Sequence, residues 1–115
     1  MKSISKKTFA KSVLKSKKKV VVFFTGKQCP PCTTMEQRVE RTAKVYKDKK
    51  YITFYKVTMQ GNESLFSKLD IMTIPHLIFF FNGDRVQELS GLKRTDVVKN
   101  FVKRNIVRLK NLRDH

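Results

Sequence analysis

The sequence predicts an α/β protein: a central mixed sheet of four to five strands with helices on both faces. Three observations carry this reading. Residues 20–24 and 77–81 are unbroken apolar runs, and 52–59 is mostly one, each rich in the β-branched and aromatic side chains of buried strands. Between these runs, apolar residues recur every three or four positions, the period of a helix with one covered face. Strands that alternate with helices need crossover connections, which make neighbouring strands parallel and place helices above and below them.

In order along the chain, Phe9 and Val13, with Leu14 beside them, form the apolar face of a short helix over 8–16, which Thr8 is placed to cap. Lys17, Lys18 and Lys19 read as a solvated turn before the first strand at 20–24. Residues 25–28 are a loop. From Cys32 to about Lys47, Met35, Val39, Ala43 and Tyr46 mark a second helix, ended by Asp48, Lys49 and Lys50. A second strand spans 52–59, a turn 60–63 and a short helix 64–69. The segment 71–75 is a loop ending in Ile74-Pro75. The third strand at 77–81 runs into Asn82-Gly83, a strong hairpin signal, so 85–90 becomes a fourth, edge-type strand that Gly91 breaks. Residues 94–110 close the chain as a helix with Val97 or Val98, Phe101, Val102, Ile106 and Leu109 inward.

A length of 115 residues suits one domain over 1–115, with 1–7 and 111–115 as basic or flexible ends. No apolar run approaches the roughly 20 residues that span a bilayer. No apolar stretch of signal-peptide length follows the positive N-terminus either, so the expected compartment is the cytoplasm, with no membrane partner. The net charge of +17 is unevenly spread. Residues 1–19 hold eight lysines and no acid, and 93–115 hold eight basic residues against two acids. The middle of the chain is nearly balanced. Basic ends of this kind attract an acidic protein or nucleic acid. The aromatic residues Tyr51, Phe54, Tyr55 and 79–81 read as core and sheet faces, not as stacking platforms for bases.

Two cysteines cannot build a secreted-type disulfide framework. Cys29-Pro30-Pro31-Cys32 lies between a strand and a helix. There a thiol faces the unpaired N–H groups and positive dipole end of the helix, which favours the nucleophilic thiolate. A second thiol one turn on can attack the resulting mixed disulfide. Prolines fit the first helical turn, where an N–H is dispensable, and two in a row stiffen the loop and remove two donors. Taken alone, Cys-x-x-Cys also suits half a zinc site or two buried thiols. Zinc needs two more ligands, and only His76 and His115 are candidates, far apart in sequence.

With these residues in view, 8–110 resembles the thioredoxin family from end to end. The stretch Val20-Val21-Val22-Phe23-Phe24-Thr25-Gly26-Lys27-Gln28-Cys29-Pro30-Pro31-Cys32 is similar to the family's strand, active-site loop and helix start. Ile74-Pro75 falls at its cis-proline loop, Phe79-Phe80-Phe81-Asn82-Gly83 at its strand and Asn-Gly turn, and Gly91 at a glycine beside the active site. The resemblance implies a thioredoxin fold and a protein-disulfide reductase. Cys29 would be the exposed attacking thiol and Cys32 the buried resolving one, with no cofactor beyond their redox-active disulfide. Pro75 would be cis and pack against that disulfide. Gln28, Ile74, Pro75 and Gly91 would bind substrate, with the Ile74 backbone pairing to a substrate strand. Pro30, Pro31, Lys56 and His76 would tune the pair. Partners would be protein disulfides and a thioredoxin-reductase-like electron donor, and the protein would act as a monomer.

The departures from the family carry their own expectations. Gln28 replaces a tryptophan, which removes a flat apolar wall. Phe23 replaces a buried aspartate that helps move a proton at the resolving thiol, while its lysine partner survives as Lys56. Gln37 stands near the family's helix-kinking proline. His76 replaces a threonine, where an imidazole beside Cys29 would stabilise the thiolate or shuttle a proton. The alternative is a thioredoxin-fold binding module that docks an acidic partner or nucleic acid through its basic ends.

Overall fold

A computed structural model of the chain describes residues 1–113, with side chains to residue 110. The strands are β1 Lys2–Ser3, β2 Lys19–Thr25, β3 Ile52–Thr58, β4 His76–Phe81 and β5 Asp84–Ser90. The helices are α1 Lys6–Phe9, which continues as a π-helical turn over Ala10–Leu14, then α2 Pro30–Val45, α3 Glu63–Lys68 and α4 Thr95–Arg113. The strands form one five-stranded sheet in the order β1-β3-β2-β4-β5. β1, β3 and β2 are parallel, and β4 and β5 complete the sheet antiparallel. This is the thioredoxin fold.

The central strand β2 is buried along its whole length, as its unbroken apolar run requires. Its alternate side chains feed two cores. Val21 and Phe23 join Met35 and Val39 of α2 and Val98, Phe101 and Val102 of α4 on one face. Val20, Val22 and Phe24 join Phe9 and Val13 with Leu65 and Phe66 of α3 on the other. Val98, not Val97, is the inward residue of the last helix. α1 and α4 therefore cover opposite faces of the sheet.

Four details differ from the sequence reading. Residues 1–7 are not a free end: Lys2 and Ser3 pair with Tyr55 and Lys56, which adds a fifth strand. The first helix starts earlier and is capped by Ser5, with Thr8 as the reciprocal partner of a capping box. Lys19 is the first residue of β2 and is buried, not solvated. Its ammonium lies 5.1 Å from the Phe81 ring and 5.5 Å from the Tyr51 ring, where cation–π attraction offsets lost hydration. Finally, α4 runs on through Arg113, into the expected flexible end, whose side chains and residues 114–115 lie outside the described residues.

The topology also places the site. β2 runs antiparallel to β4, so the end of β2 meets the start of β4: Phe24 lies opposite His76, and His76 opposite Ser90. The segment after β2, the residues before β4 and those after β5 therefore converge at one end of the strands. These three segments carry Cys29, Ile74-Pro75 and Gly91.

Candidate active site

Cys29 and Cys32 are joined as a disulfide, with Cα atoms 5.2 Å apart. Cys29 is the N-cap of α2, and its Sγ accepts the Cys32 N–H at 3.3 Å. Pro30 and Pro31 occupy the first two helical positions and offer no N–H, so Cys32 supplies the first backbone donor to reach that sulfur. The burial of the two sulfurs differs. Cys29 is half-buried on a shallow groove with Gln28, Pro30, Thr33 and Thr34. Cys32 is 1% exposed. One sulfur therefore faces incoming molecules and the other faces the core.

The loop before Cys29 is held in a defined shape. Gln28 has φ 53°, and the N–H of Lys27 donates to Gln60 Oε1 at 3.0 Å. Ile74 lies directly over Gly26, where a Cβ would overlap its Cδ1 atom. This contact brings the loop before β4 onto the loop after β2. The Ile74-Pro75 peptide is cis, and Pro75 is buried. The Pro75 carbonyl accepts the Gly91 N–H at 2.8 Å, and Gly91 has φ 83°. Ile74 thus meets the loop that leads to Gln28 and Cys29, and Gly91 is tied to Pro75. Met72 and Leu92, in the flanking segments, are exposed apolar side chains.

Lys56 and His76 sit on opposite faces of the sheet. Lys56 lies beside Phe23 in the strand register, on the α2 side, and its ammonium pairs with Glu36 Oε2 at 3.1 Å. Glu36 follows Cys32 by one helical turn, a spacing that places it on the same side of α2. The sequence reading missed this carboxylate, although its four-residue offset from Cys32 was a usable signal.

His76 is buried on the α3 side, and both its ring nitrogens engage β5, not Cys29. Nε2 meets Glu88 Oε1 at 2.7 Å and Nδ1 meets Ser90 Oγ at 2.8 Å. A ring protonated at Nε2 donates to Glu88 and accepts from the Ser90 hydroxyl, so the neutral form satisfies both partners. Glu88 is held below the ordinary carboxylate range, first by hydrogen bonds from the Arg85 guanidinium, against the opposing effect of burial, and further by His76. Glu88 and Ser90 were also missed, since nothing in a strand's sequence states which neighbour it meets. Among the described residues, no group of three or more His, Cys, Asp or Glu side chains is arranged to hold a metal ion. His115 lies outside them.

The sequence model described as Thioredoxin matches residues 1–104. Curated relatives agree with it. A thioredoxin of Mycoplasmoides gallisepticum is 33% identical over 103 residues, covering 90% of this chain and 100% of that protein. A thioredoxin of Rickettsia bellii is 28% identical, covering 90% of this chain and 97% of its own. Thioredoxin 1 of Synechococcus elongatus is 33% identical, covering 77% and 81% respectively.

Proposed function

Because the chain belongs to the thioredoxin family, we propose that it reduces protein disulfides by dithiol–disulfide exchange through Cys29 and Cys32. The observation that carries this reading is the unequal burial of two bonded sulfurs at a helix N-terminus. In the reduced protein, the half-buried Cys29 ionises, favoured by the Cys32 N–H and the helix dipole. The thiolate attacks one sulfur of the substrate disulfide. A mixed disulfide forms and the other substrate sulfur leaves as a thiolate that takes up a proton. Cys32 then loses its proton and attacks the Cys29 sulfur, and the second substrate thiol departs. The protein is left oxidised, with the bond seen here. Two electrons and two protons from a thioredoxin-reductase-like donor restore the dithiol.

In this reading, Gln28, Ile74, Pro75 and Gly91 form the edge on which the substrate strand lies, and the Ile74 backbone pairs with it. Pro30 and Pro31 set the donors around Cys29, and Lys56 sets the charge on the Cys32 side. His76 acts through the backbone of Pro75 and not on the sulfur. No helix among the described residues is long and apolar enough to cross a membrane. A reducing compartment such as the cytoplasm suits the reductase direction. The protein works as a monomer.

Insulin reduction with dithiothreitol as electron source tests the reading. Cys29→Ser abolishes turnover, and Cys32→Ser accumulates a mixed disulfide with the substrate. Full activity in Cys29→Ser would exclude it. The high charge favours a second reading, in which lysines of α1 or α4 dock an acidic protein or nucleic acid. Such binding weakens steeply with salt, and affinity that is constant between low and moderate salt would exclude it.

A further inference from the structure

Residues 70–75 link α3 to β4 and carry Ile74-Pro75 without forming a helix or strand. A side-chain network on β5 reaches both ends of this segment. Arg85 Nη1 donates to the carbonyl of Leu69, the last residue before it. The same guanidinium grips Glu88 twice, through Nε to Oε2 at 2.8 Å and Nη2 to Oε1 at 2.6 Å. Glu88 Oε1 also meets His76, the first residue after Pro75, at 2.7 Å. Leu69, Arg85, Glu88 and His76 therefore form one continuous chain of hydrogen bonds from the start of the segment to its end.

The backbone of β5 is built to allow this chain. Residues three apart on a regular strand point to opposite faces. The β4–β5 register shifts between Phe79 and Phe80, so Phe80 pairs with Arg85 and Phe79 with Gln87. The extra residue, Val86, is a bulge that turns Arg85 onto the same face as Glu88 and Ser90. That face belongs to the core of Ile78 and Phe80, where α3 packs. The paired Arg–carboxylate fork is rigid and charge-assisted. His76 is only 10% exposed at its side chain, which shields its link from competing water.

We propose that Glu88 is a positioning residue: through Arg85 and His76 it braces residues 70–75, so that Ile74 and Pro75 stand ready for a docked disulfide-bearing strand. Glu88 touches neither sulfur nor substrate. The proposal rests on the reading of Ile74 and Pro75 as the docking edge. Two backbone amides report on the brace: Ile71 N–H, bonded to Phe66 O, and Gly91 N–H, bonded to Pro75 O.

The test compares Glu88→Ala and Arg85→Met with wild type by amide hydrogen exchange and by kinetics on insulin and on hydroxyethyl disulfide. The small disulfide reaches Cys29 without docking as a strand. In Glu88→Ala, exchange at Ile71 and Gly91 is about tenfold faster, while Val22 in the central strand is unchanged. KM for insulin rises about fivefold with kcat and the hydroxyethyl disulfide rate unchanged. Arg85→Met removes the Leu69 arm and the fork on Glu88 but leaves the Glu88–His76 link, and it speeds exchange at Ile71 more than at Gly91. Exchange at wild-type rates in Glu88→Ala overturns the brace. Equal slowing on both disulfides overturns its role in docking. If the wild type reduces neither disulfide, the functional reading has failed, and the exchange rates decide the brace alone.

Discussion

Lys56 lies across from Phe23, which offers its ammonium no charge, and pairs instead with Glu36 on α2. The two side chains are 25% and 35% exposed, so water screens the pair and it contributes about 0–1 kcal/mol. Lys56→Met is therefore expected to change urea-unfolding stability by less than about 1 kcal/mol. Any accompanying shift in the Cys29–Cys32 potential is then electrostatic in origin. A loss of several kcal/mol would mean that Lys56 is structural. Glu88 behaves differently, because its folded pKa is depressed by Arg85 and His76. A depressed carboxylate stabilises the fold above its unfolded pKa, about 4.3 for glutamate, and loses that contribution as pH falls through the folded value. Glu88→Gln should flatten the loss of thermal stability on acidification below about pH 4.3, and an unchanged acid slope would contradict this. At this scale the sequence was partly legible. Cys29 and Cys32 announce themselves through their spacing and their place between a strand and a helix, and Pro75 only through the family resemblance. Glu36 left a partial signal in its offset from Cys32, while Glu88 and Ser90 left none, because their contacts depend on which strands the fold pairs.

The hairpin between β4 and β5 shows how local rules become tertiary ones. Asn82 and Gly83 have φ of 56° and 84°, the left-handed pair that a two-residue hairpin turn needs. A side chain at Gly83 would also strike the Leu14 carbonyl at the end of the π-helical turn, so this glycine is fixed by contact as well as by backbone. Gly91 has a similar φ of 83° but open space around it. Gly91→Ala should lower Tm by about 4 °C, and Gly83→Ala by about 10 °C or more, since strain and overlap add. Equal losses in thermal unfolding would show that the Leu14 contact relaxes freely. The three apolar runs gave β2, β3 and β4, and helical periodicity gave α2 and α4 within a few residues. β1 escaped because Lys2–Ser3 is two exposed residues long and pairs only by virtue of β3 beside it. The start of α1 was misplaced because Ser5 and Thr8 are both competent caps, and only the backbone course shows which one caps and which one reciprocates.

Across the whole molecule, the charge of +17 is carried against only nine acids, and the lysines of α1 and α4 lie on opposite faces. Such a surface repels itself, and salt screens the repulsion within about 8–10 Å at physiological strength. Raising sodium chloride from about 0.02 to about 0.3 M should therefore raise Tm by a few degrees, and a fall would contradict the self-repulsion. The order of elements was legible from one sequence because alternating periodicities admit few arrangements of strands and crossover helices. The convergence of residues 25–29, 74–75 and 91 at one end of the strands follows from that order, through the antiparallel pairing of β4 with β2 and β5. The central claim is that this end of the sheet carries a reversible dithiol. The measurement that tests it most directly is the redox potential of Cys29–Cys32, by equilibration against glutathione and dithiothreitol with insulin reduction in parallel. The account predicts a single two-electron transition near the roughly −270 mV of thioredoxin, with insulin reduced. A transition near roughly −120 to −180 mV would contradict the reductase direction, and the absence of any reversible transition would contradict the redox site itself.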